Sequence, residues 1–262
     1  MGVPTLRTWL SQAPYSLCLS SGFFGFFAHA GVVSVLEEES LIPQRLMGSS
    51  AGALVSGLWA SGVTSVAMKS FLMDLRKESF WDPGLGLGLL KGQLFDQLLR
   101  SFLKCENFED TPVRVQMTAF NCYRLRGEVF KSGDLASAIR ASCTFPGLFH
   151  PTWINGTPYI DGGVTDRSGL LSAQSGERIL YHHLASRSRL RGFLGLTSAP
   201  SRVQTVTLHL NHLPRCSPSR LQLGQVAFEQ ARQQCLHLLD QPLSAHHTLD
   251  HSWQSSTSFD RR

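Results

Sequence analysis

Between residues 15 and 61 the chain passes twice through the same order of parts. Residues 15–20 form a short apolar run, followed by the glycine-aromatic turn Ser21-Gly22-Phe23-Phe24-Gly25. Residues 28–39 then carry apolar side chains at helical spacing, with Glu37, Glu38 and Glu39 beyond them. Pro43 breaks the chain, Arg45-Leu46-Met47 can form a second strand, and residues 51–61 are small and apolar, as in a closely packed helix. Strand, turn, helix, repeated, predicts a parallel sheet with crossover helices, because parallel neighbours cannot be joined by a tight hairpin. The expected fold class is therefore α/β.

Further elements follow the same reading. The spacing predicts helices over residues 66–77, 94–103, 134–142 and 221–239, with Asp134 as an N-cap. Residues 113–120, 128–131, 178–182 and 203–210 read as strands. Residues 80–92, F-W-D-P-G-L-G-L-G-L-L-K-G, are glycine- and leucine-rich and unlike the rest. No internal repeat and no clear domain boundary is visible. The expectation is an N-terminal extension over 1–14, one domain over 15–243 and a polar, frayed tail over 244–262.

At 262 residues, with 42% hydrophobic and 16% charged side chains, the chain can bury a sizeable core and is not disordered. The net charge of +5 suits a mildly basic enzyme, and is compatible with an anionic membrane surface or nucleic acid as well. The six cysteines form no C-x-x-C pair and sit among apolar neighbours, so they read as buried thiols of a reducing compartment. No apolar run is long enough to span a bilayer, and residues 1–14 lack the apolar core of a secretory signal. Leu6 also stands where a myristoylation pattern needs Ser or Thr. These features lead us to expect an intracellular, cytoplasmic protein that touches membranes at most peripherally.

Gly48-Ser49-Ser50-Ala51-Gly52 fits G-x-S-x-G between a strand and a helix. Such a turn projects its serine from a sharp corner, and the helix that follows offers its positive end to developing negative charge. A serine hydroxyl needs a base to take its proton and donors to hold an oxyanion. His150, His182, His183, His209 and His212 follow in the chain, yet none sits in a motif that marks a base. Asp161, in Asp161-Gly162-Gly163, is the better candidate. The turn from Gly22 to Gly25 can aim backbone N–H groups at one point, as an oxyanion hole requires.

Taken in this order, the parts resemble the patatin-like phospholipases, serine lipid acyl hydrolases with a Ser-Asp dyad. The resemblance rests on the Gly22 turn, Ser50 in G-x-S-x-G, and Asp161 in D-G-G, 111 residues downstream. Ala28-His29-Ala30-Gly31-Val32 and Ala141-Ser142-Cys143-Thr144-Phe145-Pro146 are similar to further family segments. It covers residues 15–170 well and the rest faintly.

The resemblance implies a three-layer α/β/α fold with a mostly parallel sheet. It implies Ser50 as nucleophile, Asp161 as base, and an oxyanion hole from the N–H groups of Gly22, Phe23 and Ala51. Gly25, Gly48, Gly52, Gly162 and Gly163 are motif glycines. It implies a lipid ester as substrate, at a membrane or lipid-droplet surface, with no metal or cofactor and no nucleic-acid partner.

Two departures stand out. The oxyanion turn lacks consecutive glycines and the usual basic residue. Asp166-Arg167-Ser168-Gly169 replaces the D-N-x-P that often follows the D-G-G, a change expected to affect local packing. Two alternatives remain open: an α/β-hydrolase esterase using Ser50 with a histidine, and a non-catalytic lipid-binding protein. Phe23, Phe24, Phe26 and Phe27, with Phe80, Trp81 and residues 85–90, can form an apolar lip. Arg187, Arg189 and Arg191 can dock on anionic lipid.

Overall fold

The computed structural model describes residues 3–184, 204–243 and 248–250. The arginines at 187, 189 and 191 lie outside the described residues. In chain order the elements are α1 (Leu6–Gln12), β1 (Ser16–Leu19), α2 (Phe26–Glu38), β2 (Arg45–Ser49), α3 (Ala51–Ala60) and α4 (Ser65–Asp74). Then come β3 (Gly88–Leu90), α5 (Gln93–Phe102), β4 (Arg114–Asn121), β5 (Arg126–Phe130), α6 (Leu135–Ser142) and β6 (Gly147–Phe149). The last are β7 (Thr152–Ile154), β8 (Thr157–Asp161), β9 (Ile179–His183), β10 (Thr205–His209), α7 (Gly224–Leu239) and β11 (Thr248–Asp250).

Nine strands among the described residues form one sheet, in the order β11-β10-β9-β1-β2-β4-β8-β7, with β5 also paired to β4. The run from β11 to β4 is parallel throughout. β5 and β8 lie antiparallel to β4, and β7 antiparallel to β8. A mostly parallel α/β sheet is what the alternation of strands and helices predicts.

Alternation along the central strands divides the core. Leu17, Leu19, Leu46 and Leu180 belong to the main cluster, shared with the helices α2, α3 and α7. Cys18, Met47, Ile179 and Tyr181 point the other way, under Leu170 and Ala173 of the segment that follows β8. Both faces of β1 are buried, which is why its sequence reads as an unbroken apolar run.

Several segments differ from expectation. Residues 6–12, expected as part of an extension, form a helix capped by the Thr5 hydroxyl, with Leu6 and Leu10 buried in the core. Residues 248–250, expected in a frayed tail, add an edge strand beside β10. Cys18, Cys216 and Cys235 are buried thiols as expected, whereas Cys105 and Cys122 are only partly covered and Cys143 is a partly exposed residue whose thiol is buried. Asp134 caps α6 through the Ser137 N–H at 2.7 Å, as its position suggests. No helix of the described residues is long and apolar enough to cross a membrane.

Candidate active site

The register of the sheet brings Ser50 and Asp161 together. β2 pairs with β4 up to Ser49 opposite Thr118. β8 pairs with β4 from Asp161 opposite Ala119. Because β5 already occupies the other edge of β4 over residues 117–121, β2 and β8 share one edge and meet end to end. Thr118 and Ala119 are adjacent, so residues 111 apart in sequence arrive at the same corner. Ser50 Oγ donates to Asp161 Oδ2 at 2.6 Å.

The corner is tight and strained. Ser50 has φ 54° and ψ −120°, a conformation that L residues rarely adopt. A Cβ on Gly52 would overlap the Leu19 carbonyl, and one on Gly48 would overlap the Gly52 backbone. Both motif glycines are therefore required by close backbone approach. The Ser50 N–H donates to Ser142 Oγ at 2.9 Å, and Ser142 Oγ donates in turn to the Thr118 carbonyl at 2.6 Å. The Cys143 thiol donates to the Ser50 carbonyl at 3.1 Å, and burial keeps it protonated by pushing its pKa well up. These contacts over-determine the backbone at Ser50. The N–H of Ala51, in the first turn of α3, is one of those a helix cannot pair internally.

Asp161 is 5% exposed. Its Oδ1 accepts from the Gly163 N–H at 2.7 Å. Burial pushes the carboxyl up to about 6, against the opposing pull of the bonds from Ser50 and Gly163. Gly162 fits against the Thr118 carbonyl and Gly163 against the Ser21 hydroxyl, where no side chain has room. Five residues on, Asp166 is also buried and fastens the following loop. It accepts from the hydroxyls of Thr118 and Ser168 and from the N–H groups of Gly169, Leu170 and Leu171.

The glycine-aromatic turn closes on itself, with the Gly25 N–H donating to the Gly22 carbonyl at 2.8 Å. Phe24 sits at φ 53°. Ser21, Gly22, Phe23, Phe24 and Gly25 line the same cavity of about 570 Å³ as Ser50, Ala51 and Asp161. Its walls are largely apolar, with Phe71, Phe80, Phe95, Leu98 and Phe149 among them. Arg167 reaches the cavity too, and its carbonyl accepts from the Ser21 N–H at 2.7 Å. Residues 210–216 supply another stretch of wall, including His212 and Arg215. Sequence reasoning singled out only His212 in this stretch, as one of several available histidines, and expected the Arg167 segment to bear more on local packing than on chemistry.

The histidines have other partners. His29 and His182 are fully buried and pair Nδ1 to Nδ1 at 2.8 Å. His29 Nε2 donates to the Ser20 carbonyl at 2.8 Å, which fixes its tautomer and tethers the strand end before the turn. Burial pushes His29 down to about 4 and holds His182 well below the ordinary histidine range, so the pair is uncharged at neutral pH. His183 bonds the Tyr181 hydroxyl, His209 packs edge-to-face against His183, and His150 contacts the Gly84 carbonyl. His212 lines the cavity. Among the described residues, no histidine is hydrogen-bonded to Ser50 or Asp161, and no cluster of three or more His, Cys, Asp or Glu side chains is arranged to hold a metal ion.

Fold and corner define a class: α/β proteins that hold a serine at a strained strand-to-helix turn against a buried carboxylate. The family model described as Patatin-like phospholipase matches residues 17–173, more than half of the chain, and the chain belongs to that family. An uncharacterised NTE family protein of Mycobacterium tuberculosis is 29% identical over 171 residues, covering 62% of this chain and 46% of the relative. The lysophospholipase nte1 of Emericella nidulans is 30% identical over 157 residues, covering 57% of this chain and 10% of the relative. The chain thus spans less than half the length of these relatives.

Among solved structures, VipD from Legionella pneumophila superposes with a TM-score of 0.60 at 13% identity, over 87% of this chain and 67% of that one. The type III effector protein ExoU gives 0.50 at 20% identity, over 86% and 52%. These two are likenesses of fold.

Proposed function

We propose that this protein is a lipid acyl hydrolase, a serine carboxylic ester hydrolase in which Ser50 is the nucleophile and Asp161 the base. The observation that carries the reading is the 2.6 Å bond from Ser50 Oγ to Asp161 Oδ2 at the wall of a largely apolar cavity. Ser50 Oγ attacks the ester carbonyl as its proton passes to Asp161. The oxyanion is held by the N–H groups of Gly22, Phe23 and Ala51. Asp161 returns the proton to the departing alcohol, leaving an acyl-enzyme. Water then gives a proton to Asp161 and attacks the acyl carbon, and the proton goes back to Ser50 as the fatty acid departs. A carboxyl raised to about 6 is a stronger base than an ordinary aspartate, which suits it to this work near neutral pH.

The phenylalanine walls suit the acyl chain. Membership of the patatin-like phospholipases, and relatives named lysophospholipase, support a lipid ester as substrate. Such substrates sit in lipid surfaces, so the protein works peripherally on one. The test is fatty-acid release from a panel of phospholipid, lysophospholipid and triacylglycerol. We expect release from at least one class, abolished in Ser50→Ala. Release that persists in Ser50→Ala, or none from any class with folded protein, contradicts the proposal.

A further inference from the structure

Residues 82–91 form a short antiparallel finger. The Lys91 N–H donates to the Asp82 carbonyl at 2.9 Å, the Gly84 N–H donates to the Leu89 carbonyl at 3.1 Å, and Pro83 and Leu90 bridge across it. Its base is fastened to the domain. The Asp82 carboxylate accepts from the N–H groups of Gly92, Gln93 and Leu94 at 2.9, 2.6 and 3.0 Å, capping α5. Leu90 is fully buried, and β3 pairs with β6. His150 Nε2 contacts the Gly84 carbonyl, and the His150 ring leaves no room for a side chain at Gly86.

Against this fixed base the tip is apolar and open. Leu85 is 103% exposed, Leu87 81% and Leu89 49%, and the first two are the most exposed large apolar side chains among the described residues. Scattered exposed leucines need no explanation, but three in five residues on an anchored finger do.

The finger is continuous with the cavity. The β3–β6 register sets Leu89 beside Leu148, a residue of the cavity wall. Phe145, just before β6, is half exposed and packs at a tilt against the half-exposed Phe23, ring centroids 5.2 Å apart, and both line the cavity. An apolar path thus runs from the tip of the finger to the chamber that holds Ser50. Arg76, Lys77 and Lys91 flank the finger. Of the two carboxylates in that stretch, Asp82 is engaged on α5 and Glu78 remains.

We propose that the finger tip, Leu85, Leu87 and Leu89, inserts into a phospholipid bilayer and seats the mouth framed by Phe23 and Phe145 on its surface. The choice of a bilayer as occupant rests on the lipid-ester reading and on the basic flanks.

Vesicle co-sedimentation tests it, with phosphatidylcholine vesicles containing phosphatidylglycerol. Wild type and Ser50→Ala are expected to bind equally. Leu85→Ser with Leu87→Ser should weaken binding on the order of tenfold per leucine, since each removes a buried apolar side chain. The double variant keeps wild-type hydrolysis of a soluble short-chain ester. A Leu85→Trp substitution should shift its indole emission to the blue when vesicles are added. Unchanged binding by the double variant overturns the inference. So does wild type that ignores vesicles, or that self-associates through the finger in their absence. If the double variant loses binding while no form hydrolyses any ester, the docking surface stands and the catalytic reading falls.

Discussion

Asp161 and Asp166 lie five residues apart in the chain, and they are 5% and 6% exposed. Asp166 takes five donors: two hydroxyls and three backbone N–H groups. Asp161 takes two, and one of them is the Ser50 hydroxyl. Burial raises the Asp161 carboxyl to about 6 because so few donors offset it. Equal burial therefore produces two different devices. One carboxylate clasps a loop, and the other is left under-solvated beside a serine. On the proposed reading, the number and kind of donors, and not depth, separates the structural carboxylate from the one that serves as base.

The largest expected effect lies on the structural side. Asp166→Ala strands five donors, two of them hydroxyls that can turn elsewhere, and should cost about 3–5 kcal/mol in denaturant unfolding. A loss under 1 kcal/mol would erase the distinction. Asp161→Asn should act in the opposite direction. The folded pKa of about 6 lies above the ordinary 3.8, so folding favours the protonated acid and is penalised once the group ionises. Wild-type stability from this group is fullest below pH 4 and falls as pH rises through 6. The asparagine variant carries no such penalty, and at pH 8 should be more stable by about 1–3 kcal/mol, the upper end being the full pKa shift. The gap should close below pH 4; a less stable variant at pH 8 would contradict the raised pKa.

A smaller effect sharpens the same contrast. Turnover of a soluble ester should fall about tenfold per pH unit below 6 and level off above it. The acid limb should persist in His212→Gln, which removes the histidine lining the cavity. Its loss there would contradict Asp161 as the base.

How much of this was legible beforehand follows from the range of each signal. The elbow at Ser50 is local: a strand, two glycines and a small-residue helix are contiguous in sequence, so its geometry could be read directly. Asp161 was visible through D-G-G, but its meeting with Ser50 depends on Thr118 and Ala119, adjacent positions of a strand that carries no motif. Asp166 was read as packing, and its five bonds bear that out. The small β3–β6 sheet has three-residue strands, too short for periodicity to mark, so residues 80–92 could be read as a glycine- and leucine-rich lip but not as a strand-built finger. Residues 6–12 bury Leu6 and Leu10, and Trp9 in part, too sparse a pattern to separate a docked helix from an extension. The cavity wall from residue 210 to 216 is irregular backbone, placed by the strand before it and the helix after it.

The central claim is that Asp161, and no histidine, activates Ser50. Labelling by a fluorophosphonate at pH 8 tests it most directly, because the probe needs only an activated serine. The account predicts that wild type labels, Ser50→Ala does not, and Asp161→Asn labels more slowly by on the order of 10²–10⁴ while remaining folded. Labelling of Asp161→Asn at the wild-type rate would contradict it.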